Sequence, residues 1–217
     1  MKNTLQLPII LLTFMMLLTS CVNKKTDNST NLDSTKNPSK NFTAEPGIYT
    51  VDSKNSLVEW RGNKPTGSHN GDIALKKGSI VIDGNGMISA GKFIFNMETI
   101  NCTDLEGKQK TNIEGHLKSE DFFNVEKFPE AYFEIKKCDD KKMSGILTMK
   151  SKSNTVTFNY TRTGPLQFKA KFKVDRTLYD IKYGSKSFFS DLGDKFIDDE
   201  MEIELNPITF KINPTLK

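Results

Sequence analysis

The chain has 217 residues and a formal net charge of +4, from 31 lysines and arginines against 27 aspartates and glutamates. The two signs of charge are interspersed, and no dense basic block occurs along the sequence. A surface that binds nucleic acid needs clustered positive charge, so the composition argues against DNA or RNA as a partner. The length that is left after the N-terminal segments fits one folded domain.

The N-terminal residues have the layout of a secretory signal. Lys2 supplies positive charge, residues 5–18 form a nearly continuous apolar run, and small residues precede Cys21. The run is short for a membrane span. Its Leu-Thr-Ser-Cys ending resembles a bacterial lipobox, which implies that residues 1–20 are a lipoprotein signal peptide and that Cys21 is acylated. An ordinary signal peptide, in which the cysteine is incidental, is the alternative.

The next segment, residues 21–44, is rich in Asn, Ser, Thr, Lys and Asp and has almost no apolar side chains. Such a composition cannot bury enough surface to fold, so we expect a flexible tether that begins at the acylated cysteine. The folded domain would then comprise residues 45–217. The lipobox-like ending implies a protein of the bacterial cell envelope, lipid-anchored to a membrane on the periplasmic or outer-membrane face.

Stretches in which apolar and polar residues alternate recur through the domain. In residues 166–174 the alternation is unbroken, and it predicts a strand with one apolar face, because strand side chains point to opposite faces with a period of two. Similar stretches lie at 57–61, 68–75, 87–97, 131–135, 155–160 and 200–205. Turn-forming residues separate them, so the sequence predicts an all-β fold, either an antiparallel sandwich or a barrel.

Two segments interrupt this pattern. Residues 104–117 predict a short helix or an irregular crossing, with Leu105, Ile113 and Leu117 as its apolar positions. Residues 176–197 are rich in Gly, Tyr, Phe and Asp. Long connections in a fold of tight turns are frequently functional.

The two interruptions also show a family resemblance. Residues 115–133, GHLKSEDFFNVEKFPEAYF, resemble the central signature of the YceI family, and residues 172–185, FKVDRTLYDIKYGS, resemble its arginine-containing segment before the last strand. Residues 145–148, GILT, with 156–158, VTF, resemble the strand pair that follows the central signature. The similarity extends over nearly the whole domain, with several motifs in order.

This resemblance implies an extended, lipocalin-like antiparallel β-barrel of about eight strands, with one or two short helical crossings. It also implies binding of an isoprenoid-type amphiphile inside the barrel. One segment departs from the family pattern: many members have Arg-Ser-Asp-Phe-Gly where this chain has Arg176 followed by Thr-Leu-Tyr-Asp-Ile. The chain therefore resembles a lipoprotein branch of the family, whose ligand can differ.

A barrel of about eight strands can enclose one small ligand. The candidate wall consists of apolar side chains on the alternating stretches, namely Trp60, Ile73, Phe93, Phe95, Phe133, Leu147, Phe158, Phe168, Phe172 and Val174. Burying roughly ten CH₂ groups at about 0.8 kcal/mol each gives about 8 kcal/mol, comparable with micromolar affinity before the costs of association. The alternative is that these residues fill a solid core.

Two polar residues are candidates to orient a ligand head group. Arg176 follows an apolar stretch, as a residue at a barrel mouth would, and guanidinium groups pair well with carboxylate or phosphate. His69 is in step with apolar residues and so could point inward. An ion pair with Asp175 or Asp180 is the alternative for the arginine, and a satisfied core group is the alternative for the histidine. His116, Arg61 and Tyr183 are weaker candidates.

Little in the sequence indicates catalysis or a metal site. There is no Cys-x-x-Cys, no His-Glu-x-x-His and no Gly-x-Ser-x-Gly. Residues 198–200, Asp-Asp-Glu, lack the spacing of a calcium loop. In an oxidising compartment Cys102 and Cys138 could form a disulfide, although two isolated cysteines are the simpler interpretation. We expect no metal and no cofactor beyond a non-covalently held isoprenoid or lipid.

The leading hypothesis is a membrane-anchored, non-enzymatic lipoprotein that carries, stores or sequesters an isoprenoid, quinone-like or fatty amphiphile. A structural or interaction module of the cell envelope is the alternative, with the aromatic residues of 176–197 as its contact surface. A third hypothesis is an enzyme acting on lipid intermediates, with His69 or His116 as acid or base. A homodimer stays open as a further partnership.

Overall fold

A computed structural model describes residues 42–212 of the chain. The predicted signal peptide, the acylated Cys21 and nearly all of the tether lie outside the described residues. The described part contains nine strands and one helix: β1 Gly47–Val51, β2 Val58–Lys64, β3 Gly67–Ile82, β4 Ile88–Cys102, α1 Gly107–Lys118, β5 Glu130–Cys138, β6 Lys142–Met149, β7 Lys152–Gly164, β8 Gln167–Asp175 and β9 Glu200–Ile212. Within this range, no helix combines the length and apolar character that a membrane crossing requires.

The strands form one closed antiparallel barrel, as the family resemblance predicts. Neighbours pair in the order β3-β2-β9-β8-β7-β6-β5-β4, and the pairing of β3 with β4 closes the ring. The short strands β1 and β2 share one of the eight positions, because both pair with β3 on one side and β9 on the other. A 3-10 turn at Ser53–Asn55 lies between them.

The alternating pattern decides which face of each strand is buried. In β8, Phe168, Ala170 and Val174 are buried, whereas Lys169, Lys171 and Lys173 are exposed on the outer face. Two of these lysines reach acidic residues of the neighbouring β9, with Lys173 Nζ 2.9 Å from Glu200 and Lys171 Nζ 3.4 Å from Glu202. The predicted strand at 166–174 is confirmed with its apolar face directed into the barrel.

On the inner face of the barrel, glycine leaves room for a neighbouring aromatic ring, as at Gly71 and Gly145. A Cβ atom on Gly71 would lie 1.8 Å from the Asn101 carbonyl oxygen and 2.7 Å from the Trp60 ring. A Cβ atom on Gly145 would lie 2.5 Å from the Phe133 ring. Only glycine fits under these aromatic rings, so both positions keep an aromatic side chain flat against the barrel wall.

The first interruption of the strand pattern contains the helix. Helix α1, Gly107–Lys118, buries Leu117 and ends where Ser119 turns to an extended conformation. The Ser119 side chain donates a hydrogen bond of 2.7 Å to the His116 carbonyl oxygen. The chain then returns to β5 through the first connection, residues 119–129. The second connection, residues 176–199, joins β8 to β9 and has short 3-10 turns at Arg176–Tyr179 and Gly193–Lys195.

The buried residues divide the barrel into two ends. The packed end is defined by Tyr49, Val51, Ile80, Ile82, Ile88, Ile135, Tyr160 and Phe210, all less than a tenth exposed. The mouth end is defined by Met97, Ile100, Leu117, Phe122, Met149 and Val174, which pack beneath α1 and the two connections. The candidate site lies between these two ends.

Candidate functional site

The barrel contains a cavity that opens partly to solvent. The empty space between its atoms is about 1260 Å³, counting the part that merges with solvent. The wall includes every one of the ten apolar side chains that the sequence analysis proposed: Trp60, Ile73, Phe93, Phe95, Phe133, Leu147, Phe158, Phe168, Phe172 and Val174. Their placement around one cavity is what a ligand-lining role requires, and their contact with a ligand stays a prediction.

The wall is almost wholly apolar. Apart from Arg61, Gly62, Arg176 and Asp198, every lining residue has a hydrophobic side chain. Trp60, the only tryptophan of the chain, donates its indole N–H to the Asp72 carbonyl oxygen at 3.2 Å, so its polar atom is paired with the backbone. A cavity of this kind offers a ligand apolar contact along its depth and polar contact only where it opens.

Aromatic rings form one continuous side of the wall. Phe158 and Phe172 are stacked, with centroids 4.1 Å apart and ring planes within 8°. Phe133 lies 5.7 Å from Phe158, and Phe93 lies 6.4 Å from Phe133. Such rings are rigid, because each has only two side-chain torsions and is held by its neighbours. The cavity is therefore preformed on this side.

The floor of the cavity belongs to the packed end. Phe168 lines the cavity, and its ring lies 5.5 Å from Phe210 and 5.8 Å from Tyr160. The Tyr160 hydroxyl donates to the Asp139 carbonyl oxygen at 2.6 Å. Burial raises the pKa of Tyr160 well above its ordinary value, so this hydroxyl stays neutral. The floor is closed by packed rings and a satisfied hydrogen bond.

Both connections contribute to the mouth. From the first come Phe122 and Phe123, which line the cavity next to Leu117 of α1. From the second come Ile197 and Asp198, and the Asp198 backbone N–H donates to the Asn63 carbonyl oxygen at 2.8 Å. The mouth is therefore framed by the end of α1, by the first connection that follows it and by the second connection.

Arg176 has a structural task at this mouth, which corrects the prediction that its guanidinium is free to pair with a head group. Its side chain is fully buried. Its N–H groups donate to the carbonyl oxygens of four residues of the second connection and to the Asp199 carboxylate, at 3.4 Å. The four carbonyl acceptors, at 2.8–3.0 Å, belong to Ile181, Tyr183, Ile197 and Asp198. All five donors of the guanidinium are used within the chain.

Burial and a neighbouring carboxylate act in opposite directions on the charge of Arg176. Burial lowers the pKa of the guanidinium from its ordinary value, and the Asp199 carboxylate opposes that shift. Burial would raise the pKa of Asp199, but hydrogen bonds from Ser185 and Ser187 and the Arg176 charge outweigh burial and hold that pKa below its ordinary value. Arg176 therefore forms its ion pair with Asp199, and not with Asp175 or Asp180 as the sequence analysis had suggested.

A lysine that the sequence analysis did not single out joins the two connections. Lys150, in the turn between β6 and β7, donates to the Phe122 carbonyl oxygen at 2.8 Å and to the Asp180 carbonyl oxygen at 3.2 Å. The Arg176 guanidinium also lies 5.7 Å from the centre of the Phe122 ring. The only signal for this role was the position of Lys150 in a turn, which does not reveal its acceptors.

His69 does not line the cavity, which corrects the prediction that it points at a ligand. It lies near the start of β3, beyond the mouth, with Nδ1 3.1 Å from the Asp104 carboxylate. It is on the same face of β3 as Ile73, as its spacing predicted. The strand extends past the cavity, however, and the chain after β4 folds back against it.

The weaker head-group candidates are also accounted for. His116 on α1 packs against Tyr183, with ring centroids 4.4 Å apart, and neither side chain lines the cavity. Among the described residues, the His116 Nε2 atom and the Tyr179 hydroxyl are buried without a hydrogen-bond partner. Burial raises the pKa of Tyr179 to about 12. Arg61 is exposed and borders the mouth.

The two cysteines of the described domain are not paired. Cys102 is fully buried at the mouth-end terminus of β4, whereas Cys138 ends β5 beside Tyr160 at the packed end. A disulfide between them would have to span opposite ends of the barrel. The interpretation as two isolated cysteines holds.

A closed antiparallel barrel of about eight strands can be filled by its side chains or can hold one small ligand, and the cavity of this barrel places it among the folds that have room for a ligand. The family model described as the YceI-like domain matches residues 49–208, which is most of the chain. The chain therefore belongs to the YceI-like family. No curated protein matches it.

Two of the solved structures that resemble this chain have the same fold. BcnA of Burkholderia cenocepacia is 22% identical, with a TM-score of 0.53, over 73% of this chain and 99% of its own. A polyisoprenoid binding domain from Saccharophagus degradans, implicated in plant cell wall breakdown, is 12% identical, with a TM-score of 0.53, over 76% of this chain and 98% of its own. At these identities the likeness establishes the fold alone.

Proposed function

We propose that the protein binds an isoprenoid, quinone-like or fatty amphiphile in the barrel cavity and carries, stores or sequesters it. The observation that carries this proposal is the cavity wall, which is apolar over its whole depth and partly open at one end. An apolar chain entering it gains about 0.8 kcal/mol per buried CH₂ group. The structurally similar Saccharophagus degradans domain, described as binding polyisoprenoid, supports this ligand class.

The ligand's polar part belongs at the mouth. The inner wall offers it no polar side chain, and an unpaired polar group buried there would cost several kcal/mol. Arg61 and Asp198 border the opening, whereas the donors of Arg176 are already used. Chain length and apolar volume would therefore govern affinity more than head-group charge does.

Binding without catalysis is the form of this proposal that the site favours. Neither histidine lines the cavity, so neither is placed to act as acid or base on a lipid held there. The Arg176 guanidinium at the mouth is already hydrogen-bonded within the chain. These features support a carrier or a store.

Native mass spectrometry of gently purified full-length protein, followed by organic extraction, tests the proposal directly. We expect a mass increment that disappears on extraction and returns when farnesol, a short-chain ubiquinone or palmitic acid is added. Fluorescence of Trp60 reports the rebinding, because it is the only tryptophan and lies in the wall. No extracted lipid and no rebinding of any of the three probes would overturn the proposal.

A cavity-filling variant sharpens the test. Val156→Phe places a ring on the cavity side of β7, where Val156 lines the wall, and should weaken probe binding by about tenfold or more. Thr155→Phe makes a similar change on the exposed outer face one residue earlier and should leave binding unchanged. Equal affinity of the two variants would place the ligand outside the barrel.

We further propose that the protein is a lipoprotein of the bacterial cell envelope, held through acylated Cys21 on the periplasmic or outer-membrane face. The apolar run at 5–18 and the lipobox-like ending support this. Metabolic labelling with radioactive palmitate should mark the wild-type chain and leave Cys21→Ser unlabelled. Full membrane retention of the unlabelled variant would contradict the anchor.

An interaction module of the cell envelope is the second candidate, and one observation favours it. The second connection exposes Leu178, Tyr183, Phe188 and Phe189, each about half exposed. Large apolar side chains grouped on one segment are frequent in protein contacts. Cross-linking in intact envelopes separates the candidates: a stoichiometric partner lost in a Phe188→Ser, Phe189→Ser variant favours the module, and a partner-free protein that retains lipid favours the carrier.

A further inference from the structure

A second cluster of reactive side chains lies outside the barrel cavity. His69 near the start of β3, Cys102 at the end of β4 and Asp104 just after it place their side chains together. Their nitrogen, sulfur and oxygen atoms all lie within 4.8 Å of one another. None of the three lines the cavity, so the proposed lipid binding leaves the cluster unexplained.

The spacing within the cluster approaches that of a metal site. Asp104 Oδ2 is 3.1 Å from His69 Nδ1, and Asp104 Oδ1 is 3.1 Å from Cys102 Sγ. Around one tetrahedral zinc ion, with bonds of about 2.0–2.3 Å, ligand atoms are separated by roughly 3.3–3.6 Å. Binding would need side-chain rotations of His69 and Cys102 as well as of Asp104, to bring ligand atoms that lie within 4.8 Å of one another to those separations.

The chemistry of the three donors selects a class of ion. Thiolate, imidazole and carboxylate together suit zinc and neighbouring transition metals, whereas calcium and magnesium take oxygen ligands. The His69 and Asp104 side chains are 30% and 28% exposed, so an ion has access from solvent and room for a water ligand on that side. The Cys102 thiol would release its proton to solvent when it binds the ion.

Neighbouring groups orient the donors, as outer-shell partners do in metal sites. The Asn70 backbone N–H donates to Asp104 Oδ1 at 3.1 Å, and the Thr103 backbone N–H donates to the Asn70 carbonyl oxygen at 3.0 Å. The Glu114 carboxylate on α1 accepts from the Cys102 backbone N–H at 2.8 Å. The cluster thus joins two strands and is fixed in place by the helix.

We propose that His69, Cys102 and Asp104 form a binding site for one zinc-class divalent ion, with water as the fourth ligand. The site is separate from the lipid cavity and does not depend on the proposed function. An ion there would join β3 to the segment after β4 and stabilise the mouth end. The competing explanation is a hydrogen-bonded cluster that holds the same segments together without a metal.

Zinc titration of the full-length, chelator-treated protein, purified without a histidine tag, tests the site. We expect one equivalent of Zn²⁺ to bind by calorimetry and to raise the thermal unfolding temperature. Co²⁺ in its place should give the near-ultraviolet thiolate-to-metal absorption that only a cysteine ligand produces. Failure of the wild-type protein to bind either ion would overturn the proposal.

The chain supplies a matched control for two of the ligands. Cys102→Ser, His69→Gln and Asp104→Asn should each weaken Zn²⁺ binding by about tenfold or more. Cys138→Ser, His116→Gln and Cys21→Ser, which change residues outside the cluster, should leave it unchanged. Retention of full affinity by Asp104→Asn and His69→Gln, or loss of binding in Cys21→Ser, would overturn the assignment.

Cys102 is fully buried, so its variant also needs a folding check. If circular dichroism shows that Cys102→Ser is unfolded, the two variants at the more exposed His69 and Asp104 decide the outcome. The cobalt spectrum of the Cys138→Ser, Cys21→Ser double variant then identifies the sulfur ligand, because Cys102 is its only remaining cysteine. Loss of the thiolate band in that variant contradicts the proposal.

Discussion

The packed end and the mouth end of the barrel are built from the same strands, yet one is solid and the other is hollow. At the packed end, Ile80, Ile82 and Phe210 belong to one cluster of buried apolar side chains. At the mouth end, α1 and the two connections cover the opening, and space is left beneath them. Alternating strands therefore determine that the interior is apolar, and the cover at each end determines whether it is filled.

The two ends also differ in how their polar groups are held. The packed end is closed by short turns, whereas the mouth depends on long connections whose backbone needs partners other than a strand. Arg176 and Lys150 supply those partners by donating to carbonyl oxygens of the connections. Buried backbone acceptors must be satisfied, and at the hollow end the buried Arg176 and the partly buried Lys150 satisfy several of them.

The largest expected effect is at the arginine of the mouth. Arg176→Met leaves carbonyl oxygens of the second connection and the Asp199 carboxylate without their donor, so unfolding free energy should fall by about 3–5 kcal/mol. Arg162, nearer the packed end, donates one hydrogen bond among the described residues, to the Phe42 carbonyl oxygen at 2.8 Å, and Arg162→Met should cost only about 1 kcal/mol. Urea unfolding measures both, and equal losses would contradict the task assigned to Arg176.

The next prediction compares the loss of stability when either of two isoleucines of β3 is truncated to alanine. Ile80 at the packed end is 2% exposed, and Ile80→Ala should cost about 2–5 kcal/mol because it leaves a cavity among tightly packed side chains. Ile73 already borders empty space, so Ile73→Ala should cost less, about 1–2 kcal/mol. Thermal or urea unfolding can rank the two. A larger loss at Ile73 would show that the mouth end is packed as tightly as the other.

A pH effect is expected from the carboxylate that pairs with Arg176. The pKa of Asp199 is lower in the folded chain, so its contribution to stability is present above the ordinary carboxyl pKa of about 3.9 and is lost as pH falls through the lower folded value. Asp199→Asn should therefore be less stable by about 1 kcal/mol at neutral pH and should lose less stability between about pH 4 and pH 2. Urea unfolding at several pH values measures this. Parallel acid profiles of the two proteins would contradict it.

Most of the strands were predictable from sequence because they have a clear period of two, whereas their closure into a barrel, rather than a sandwich, was implied by the family resemblance. The seven alternating stretches correspond in part or whole to β2–β5 and β7–β9, with 87–97 extending in the structure to Cys102, whereas β6 was indicated only by the family resemblance at 145–148. The sharing of one barrel position by β1 and β2 was not predictable, because it depends on where each strand pairs along β3 and β9. The apolar wall followed from the same alternation.

The polar part of the site was predicted less well, for a physical reason. Arg176 was placed correctly at the end of β8, but four of its acceptors are backbone carbonyls up to 22 residues away, and no side-chain pattern marks those atoms. His69 was placed on the correct face, but strand length decided that it lies beyond the cavity. Its proximity to Cys102 and Asp104 depends on the register of β3 against β4, which contains irregularities near Asp72 and Lys77.

The smallest expected effect, and the sharpest test of the comparison, is at two buried tyrosines. The Tyr160 hydroxyl at the packed end has a carbonyl acceptor at 2.6 Å, so Tyr160→Phe should cost about 1 kcal/mol. The Tyr179 hydroxyl at the mouth end is buried with no partner among the described residues, so Tyr179→Phe should be neutral or raise stability by up to about 1 kcal/mol. Urea unfolding of lipid-extracted protein measures both. A loss at Tyr179 equal to that at Tyr160 would mean that its hydroxyl is satisfied after all, and the mouth end would then be as completely hydrogen-bonded as the packed end.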